Sequence, residues 1–350
     1  MKNLSRREKK KLEQLKKVKR RKKIVRNSIV LIIIAFAIYI KFYYKKEPTK
    51  NMANEEKIAE TISTNIVTEN NVETNEVTEE NSADEVVYVI EDIDEVEYTI
   101  AYATEDEEVK AIVQEYITSR NLTEENFAFF YYKPETQNFY FYNENKFFTA
   151  ASTMKVPIAM IYYDKINNGE LTLDKTLQYK SNNYEAGGGT TNSLYKVGDY
   201  IPISFLLEQM IVNSDNTAWK ILMSGLGGNS ASRKLAMQYA NREIPSNFTS
   251  ENIISAGYGY DIIKNIYENQ EKYEELISYM KRSSGGGYLK KDISDYEIAH
   301  KYGSYDGNIH DYGIVYCEEP YIIGIFTSKV ANAEDLIAEM NKSILEIQNK

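Results

Sequence analysis

The stretch that decides how this 350-residue chain folds runs from Ala150 to Met160 and reads AASTMKVPIAM. Its first half is small and polar, and its second half is a run of apolar residues typical of a buried helix. Ser152 and Lys155 stand three residues apart, a spacing that places both side chains on one face of a helix. Ser152 is therefore either an ordinary helix start whose hydroxyl caps free backbone N–H groups, or a nucleophile that the Lys155 amine deprotonates.

Two further short elements follow this stretch along the chain. Ser214–Asn216 reads S-D-N and comes after the apolar run FLLEQMIV, at the predicted start of a helix. Lys301–Gly303 reads K-Y-G and ends a predicted strand. Alone, the first is an ordinary turn sequence and the second an ordinary surface lysine before a glycine. In this order, on a helix, a helix and a strand, the three elements match the S-x-x-K, S-D-N and K-T-G signature of class A β-lactamases and penicillin-binding proteins.

The residue types suit acyl transfer to a serine. A serine hydroxyl needs a base within hydrogen-bond reach, and Lys155 can be that base for Ser152 if burial and cationic neighbours lower its pKa. Ser214 is placed to relay the proton to the leaving nitrogen. Asn216 offers an amide to hold the amide of the substrate, and Lys301 offers a positive charge for a substrate carboxylate.

The same arrangement predicts where a developing oxyanion is stabilised. The backbone N–H of Ser152, at a helix N-terminus, is one predicted donor. We expect the second donor from the strand edge just beyond Gly303.

The chain from about residue 127 to residue 327 resembles the class A β-lactamase-like serine hydrolase family. The segments NGELTLDKTL (168–177), YEAGGGTTNSL (184–194) and HKYGSYDGNIHDYGIVY (300–316) carry this resemblance beyond the three motifs. It implies an α/β (α+β) fold, with an antiparallel sheet flanked by helices, an all-helical subdomain and the site between them. By the same resemblance Tyr184 borders the cleft, although a half-buried surface tyrosine is an equally good interpretation.

Two departures from the family pattern concern activity. The segment after Asn216 contains no E-x-x-L-N motif, whose glutamate activates the deacylating water in class A β-lactamases. Glu243 and Glu251 are the nearest carboxylates after Asn216 and are the candidates for that role. Tyr302 replaces the usual Thr or Ser of the third motif, which removes a small hydroxyl that Ser304 or the phenol itself would have to replace.

The periodicity predicts one sheet built from both ends of a domain of about 245 residues, with helices between. The predicted helices span residues 108–120, 152–168, 203–212, 217–226, 231–241, 258–269, 272–281 and 331–348. The predicted strands span residues 127–132, 139–143, 296–303, 312–319 and 321–328.

The N-terminal third is organised differently. Residues 1–26 contain fourteen Lys and Arg against two acids, and twelve uninterrupted apolar residues follow at Ile29–Ile40. This run would also suit a signal peptide, but no small-residue cleavage site follows it. We therefore predict a basic cytoplasmic tail (1–26), a transmembrane signal-anchor helix (27–44), an acidic extracytoplasmic linker (45–106) and an extracytoplasmic serine hydrolase domain (107–350). The anchor places the protein in the cell membrane and explains the basic tail better than nucleic-acid binding does.

The remaining special residues exclude other chemistry. Cys317 is the only cysteine, so the chain has no internal disulfide and no cysteine-based metal site. His300 and His310 are the only histidines and lack the spacing of a ligand pair, so we expect no metal and no cofactor. We expect His300 to pack beside the strand that carries Lys301, and the catalytic domain to be monomeric.

The leading hypothesis is an active-site serine hydrolase acylated at Ser152 by β-lactams or D-Ala-D-Ala-type substrates. Without the family's glutamate we expect inefficient β-lactam hydrolysis. The alternatives are a D,D-peptidase that acts on peptidoglycan stem peptides and a non-catalytic sensor that binds muropeptides or antibiotics.

Overall fold

The central element is a five-stranded antiparallel sheet in the order β2-β1-β9-β8-β7. A computed structural model describes residues 103–285 and 287–348. The predicted tail and membrane span, and the predicted linker up to residue 102, lie outside the described residues. The strands are β1 Phe127–Lys133, β2 Asn138–Tyr142, β3 Phe147–Thr149, β4 Thr176–Gln178, β5 Tyr200–Pro202, β6 Ile253–Ser255, β7 Glu297–Tyr305, β8 Asn308–Tyr316 and β9 Tyr321–Ser328.

Helices cover both faces of this sheet and form a separate lobe between β3 and β7. Their bounds are α1 Glu107–Ser119, α2 Lys155–Asn167, α3 Thr191–Leu194, α4 Ile203–Val212, α5 Asn216–Gly225, α6 Asn229–Ala236, α7 Ala256–Glu268, α8 Glu274–Lys281 and α9 Ala333–Gln348. The expected antiparallel sheet flanked by helices, with an all-helical subdomain, is confirmed.

Strand β1 shows why its sequence is almost continuously apolar. Phe127, Phe129 and Tyr131 pack into one hydrophobic cluster with α1 and α9, whereas Ala128 and Phe130 pack into a second cluster with the helical lobe. Side chains alternate between the two faces of a strand, so a strand covered on both faces carries apolar residues at every position.

Helix α2 lies at the centre of the lobe. Nine consecutive residues, Lys155–Tyr163, are buried. A helix that is apolar on all sides is surrounded by other elements rather than lying at a surface. The lysine at its first position is thus carried into the protein interior.

The predicted helices and strands are present, and most of their ends lie within three residues of the predicted positions. The strand predicted at 312–319 spans Asn308–Tyr316, and the helix predicted at 231–241 spans Asn229–Ala236. The S-x-x-K helix differs at its start. Residues Ala151–Met154 form a 3₁₀ turn, and the α-helix begins only at Lys155. Ser152 therefore lies before the helix, and its side chain does not cap it.

Among the helices of residues 103–348, apart from residue 286, none is both long and apolar enough to cross a bilayer. The same part of the chain contains no group of three or more His, Cys, Asp and Glu side chains arranged to hold a metal ion.

Candidate active site

Ser152 and Lys155 meet directly. The Lys155 Nζ atom lies 2.9 Å from Ser152 Oγ. Residues i and i+3 eclipse in a 3₁₀ turn, so the turn at Ala151–Met154 aligns the two side chains closely. Ser152 is half-buried and reachable from solvent, whereas Lys155 is fully buried.

Strand β8 holds this catalytic turn in place. His310 Nε2 donates to the carbonyl of Thr149 at 2.8 Å, and its Nδ1 accepts from the Thr327 amide at 3.1 Å. Burial lowers the pKa of His310 to about 4, so the ring is neutral at physiological pH and this pair of contacts fixes its tautomer. The Tyr312 hydroxyl donates to the Thr153 carbonyl at 2.8 Å. His310 thus positions the turn through neutral hydrogen bonds.

The S-D-N element supplies three more partners for Lys155. Its Nζ atom lies 2.7 Å from the Ser214 carbonyl, 3.2 Å from Ser214 Oγ and 2.7 Å from Asn216 Oδ1. Ser214 has a φ of +54°, a region that costs a non-glycine residue on the order of 1–3 kcal/mol. In this backbone conformation both the carbonyl and the hydroxyl of Ser214 face Lys155.

The environment of Lys155 favours the neutral amine. Burial, and secondly the charge of Lys301, hold the pKa of Lys155 well below its usual value. Asp215 and Glu185 act in the opposite direction. The required condition for a lysine base, burial with a cationic neighbour, is therefore met.

Asp215 anchors the S-D-N element and is itself enclosed by the glycine loop, which we define as Gly187–Gly189. Its carboxylate accepts from the amides of Ala218 and Thr191, both at 2.9 Å, and so caps α5. Gly188 and Gly189 both have positive φ, and a Cβ on Gly189 would lie 2.1 Å from Asp215 Oδ2. Only glycine allows the loop to approach this closely.

Lys301 lies on β7, at the edge of the sheet. Its Nζ atom donates to Ser214 Oγ at 3.1 Å and to the carbonyl of Tyr302 at 2.9 Å. Ser214 therefore bridges both lysines. Burial lowers the pKa of Lys301 to about 7, and Asp311 partly offsets this effect.

Asp311 also pairs with His300, as both side chains are fully buried and His300 Nδ1 lies 2.7 Å from Asp311 Oδ2. His300 does not pack beside the Lys301 strand, because it is part of that strand, one residue before Lys301.

Gly303 brings β7 against the catalytic turn. A Cβ at this position would lie 2.9 Å from the Ser152 amide nitrogen and 3.0 Å from the Ala150 carbonyl. The next residue, Ser304, lines the cleft together with Ser152. This is the place where the sequence predicts the two oxyanion donors.

Tyr302 turns away from this place. Its ring stacks on Tyr288, with 4.9 Å between ring centroids, and the Lys301 ammonium lies 4.2 Å from the centre of the same ring. The phenol therefore does not stand where the threonine or serine hydroxyl of the family would be expected.

The cleft over Ser152 has a volume of about 320 Å³. Its lining includes Ser152, Asn216, Ser304, Glu185, Trp219 and Lys220.

The other three candidate residues lie elsewhere. Tyr184 is 62% exposed and does not line this cleft, although its neighbour Glu185 does. Glu243 and Glu251 are exposed and do not line it either.

Sequence reasoning missed Glu185 and the contacts of the glycine loop. The one available signal was the run Glu185-Ala186-Gly187-Gly188-Gly189, since three consecutive glycines beside a motif indicate close backbone approach.

The comparison with protein families decides the assignment. Residues 106–348 match the beta-lactamase enzyme family, more than two thirds of the chain. The chain belongs to this family. It is a serine hydrolase of the beta-lactamase type, and the resemblance of the three motifs is confirmed at the level of the family.

Solved structures of the beta-lactamase family have the same fold. The chain is similar to PBP-A, with 19% identity and a TM-score of 0.60, over 68% of this chain and 96% of that one. A mutant of PBP-A in an acyl-enzyme complex with penicillin G matches equally well, at 19% identity and 0.60, over 69% and 96%. A beta-lactamase from Chitinophaga pinensis matches at 21% identity and 0.60, over 69% and 99%. A search of curated protein sequences gives no match.

Proposed function

We propose that this beta-lactamase-type hydrolase forms an acyl-enzyme at Ser152 with penicillin-type or D-Ala-D-Ala-type substrates, and that it clears β-lactams slowly. The observation that carries the proposal is the position of the buried Lys155 amine within hydrogen-bond distance of Ser152 Oγ. One of the similar structures is itself an acyl-enzyme with penicillin G.

The contacts of Lys155 define its role in the first step. A neutral amine has two N–H donors and one lone pair. The Ser214 carbonyl and Asn216 Oδ1 can only accept, and at 2.7 Å each they take both donors. The lone pair of the Lys155 nitrogen is then free to accept the hydrogen of the Ser152 hydroxyl. Lys155 thus removes the proton from Ser152 Oγ as the oxygen attacks the substrate carbonyl.

The remaining groups complete acylation. The tetrahedral oxyanion forms beside the Ser152 amide and the edge of β7. Ser214 Oγ lies within 3.2 Å of both lysine amines. It gives its proton to the leaving nitrogen as the C–N bond breaks and takes in exchange the proton that Lys155 removed from Ser152, so Lys155 returns to the neutral amine. The product is an ester between the substrate acyl group and Ser152. A β-lactam keeps its amine attached, whereas a D-Ala-D-Ala peptide releases D-alanine.

The positions of the two predicted deacylation carboxylates argue against efficient β-lactamase chemistry. Glu243 and Glu251 do not line the cleft. An acyl-enzyme that lacks an effective water-activating base accumulates. D,D-peptidase activity on stem peptides uses the same acylation step at Ser152 and is the second candidate function.

The test is intact-mass spectrometry of the whole chain mixed with benzylpenicillin, with Ser152→Ala as control. A penicilloyl adduct that forms on the wild type alone and decays slowly is the expected result, and D-alanine release from a D-Ala-D-Ala peptide would add the peptidase activity. Antibiotic consumption with only a transient adduct would identify an efficient β-lactamase. Neither adduct nor antibiotic loss would overturn penicillin recognition and favour the non-catalytic sensor.

The proposed location is the outer face of the cell membrane, with residues 27–44 as the anchor. This rests on the apolar run, the basic residues before it and the acidic residues after it. Wild type is expected to sediment with membranes and to be degraded by protease added to intact spheroplasts, whereas a chain without residues 1–44 stays soluble. Protection of wild type from the protease would contradict this orientation.

A further inference from the structure

Glu185 is held rigidly against the S-D-N element. Its amide donates to Thr217 Oγ1 at 3.1 Å, and the same hydroxyl donates back to the Glu185 carbonyl at 3.0 Å. Asn216 Nδ2 donates to the carbonyl of Ala186 at 2.8 Å. Thr217 is fully buried, so this clamp is protected from water. The backbone of residues 185–186 is thus fixed to the two residues that follow the Asp215 cap.

The carboxylate of Glu185 lies in the same cavity as Ser152. Within the described part of the chain it is the one carboxylate that lines this cavity. Its Oε2 atom lies 3.0 Å from Lys220 Nζ, and its side chain is 39% exposed. Its negative charge also raises the pKa of Lys155, so its field reaches the catalytic amine. Glu185 therefore combines a fixed backbone, a charged side chain and access to water beside the nucleophile.

We propose that Glu185 is the general base of deacylation, the step that frees Ser152 after acylation. This inference rests on the proposed function, because it requires an ester at Ser152. A water molecule in the cleft gives its proton to the Glu185 carboxylate while its oxygen bonds to the ester carbonyl carbon. The tetrahedral intermediate then breaks its C–Oγ bond, and the proton that Glu185 accepted passes through water in the cleft to Ser152 Oγ. The products are a carboxylic acid and free Ser152, with Glu185 again a carboxylate and Lys155 unchanged as the neutral amine.

Lys220 holds the Glu185 carboxylate in the cleft, with its Nζ atom 3.0 Å from Glu185 Oε2. Removing Lys220 breaks this ion pair but leaves the carboxylate in place. A Lys220 variant therefore separates the effect of the ion pair from that of the base.

The experiment separates acylation from deacylation in the whole chain. Protein is loaded with benzylpenicillin, free antibiotic is removed, and loss of the penicilloyl adduct is followed by intact mass. Glu185→Gln is expected to acquire the adduct within about threefold of the wild-type rate and to lose it about a hundredfold more slowly, the lower end of the usual range for a general base. Lys220→Met keeps the carboxylate and is expected to lose the adduct much faster than Glu185→Gln.

Two matched controls accompany the test, and three outcomes would overturn the proposal. Glu243→Gln and Glu251→Gln remove carboxylates outside the cleft and are expected to behave as wild type. Loss from Glu185→Gln within twofold of wild type would overturn the proposal. So would equal slowing in Glu185→Gln and Lys220→Met, because it would assign the effect to the ion pair itself. A wild-type adduct that never decays would also overturn it, since an active base would clear the ester. A wild type that acquires no adduct would instead refute the proposed function.

Discussion

At the scale of single residues, the site depends on two buried lysines that share one serine. Lys155 and Lys301 both contact Ser214 Oγ, at 3.2 and 3.1 Å. Each charge disfavours the other, and burial disfavours both. The consequence differs for the two residues. A lowered pKa makes Lys155 a usable base, but it makes the charge of Lys301 dependent on pH.

Recognition of a substrate carboxylate should therefore weaken as the pH rises above neutrality. The pKa of Lys301 is lowered to about 7, so the ammonium loses its proton above this pH and its attraction for a carboxylate is lost. We expect the acylation rate of benzylpenicillin, divided by that of its neutral methyl ester, to fall several-fold between pH 6.5 and pH 8.5. Deprotonation of Lys155 affects both compounds equally, so the ratio of the two rates reports the charge of Lys301. Both acylation rates are measured by stopped flow, and a ratio that does not change with pH would refute this role of Lys301.

At the scale of elements, the glycine loop determines the position of the S-D-N helix. Gly189→Ala would place a methyl group on the buried Asp215 carboxylate. We expect it to lower the free energy of unfolding by roughly 2–4 kcal/mol, because the cap of α5 must move. Gly169→Ala is the matched control, since Gly169 has a similar φ of +75° and open space around it. It should cost only about 1 kcal/mol of backbone strain. Urea unfolding measures both, and equal losses would show that the close contact is unimportant.

The elements were largely predictable, and their contacts only in part. Periodicity located the sheet strands and most helices because burial of one or two faces leaves a local pattern. The 3₁₀ turn at Ser152 was not predicted, because a short turn before a helix has the same residue types as the helix itself. The meeting of Lys155, Ser214 and Lys301 was predicted from the motifs alone.

The remaining contacts of the site were not predictable from local pattern. The ring of Tyr302 turns toward Tyr288, and the contact between Glu185 and Lys220 joins residues far apart in sequence. Both depend on long-range packing, for which a single sequence carries no local signal.

At the scale of the whole molecule, the site lies where an edge strand of the sheet meets the helical lobe. The lobe contributes Lys155 and Ser214, and the edge strand β7 contributes Lys301. Bringing two amines into one buried position costs stability that the large aromatic cores on both faces of the sheet must offset. The catalytic arrangement is therefore expected to be visible in the pH dependence of folding.

Lys301→Met should flatten the rise of stability with pH. In the folded protein the pKa of Lys301 is lowered from 10.5 to about 7, so the unfolded chain binds more protons between these values. Stability is then lowest below pH 7 and increases by about 1.4 kcal/mol per pH unit as the pH rises toward 10.5. Buried tyrosines with raised pKa values, such as Tyr312, reverse the trend only above about pH 10, and burial lowers the pKa of His310 to about 4, below this range. Urea unfolding at pH 7, 8 and 9 should thus show that the free energy of unfolding of the wild type rises, relative to that of Lys301→Met, by about 1.4 kcal/mol per pH unit. If the difference between the two proteins does not change with pH, Lys301 keeps its charge throughout this range.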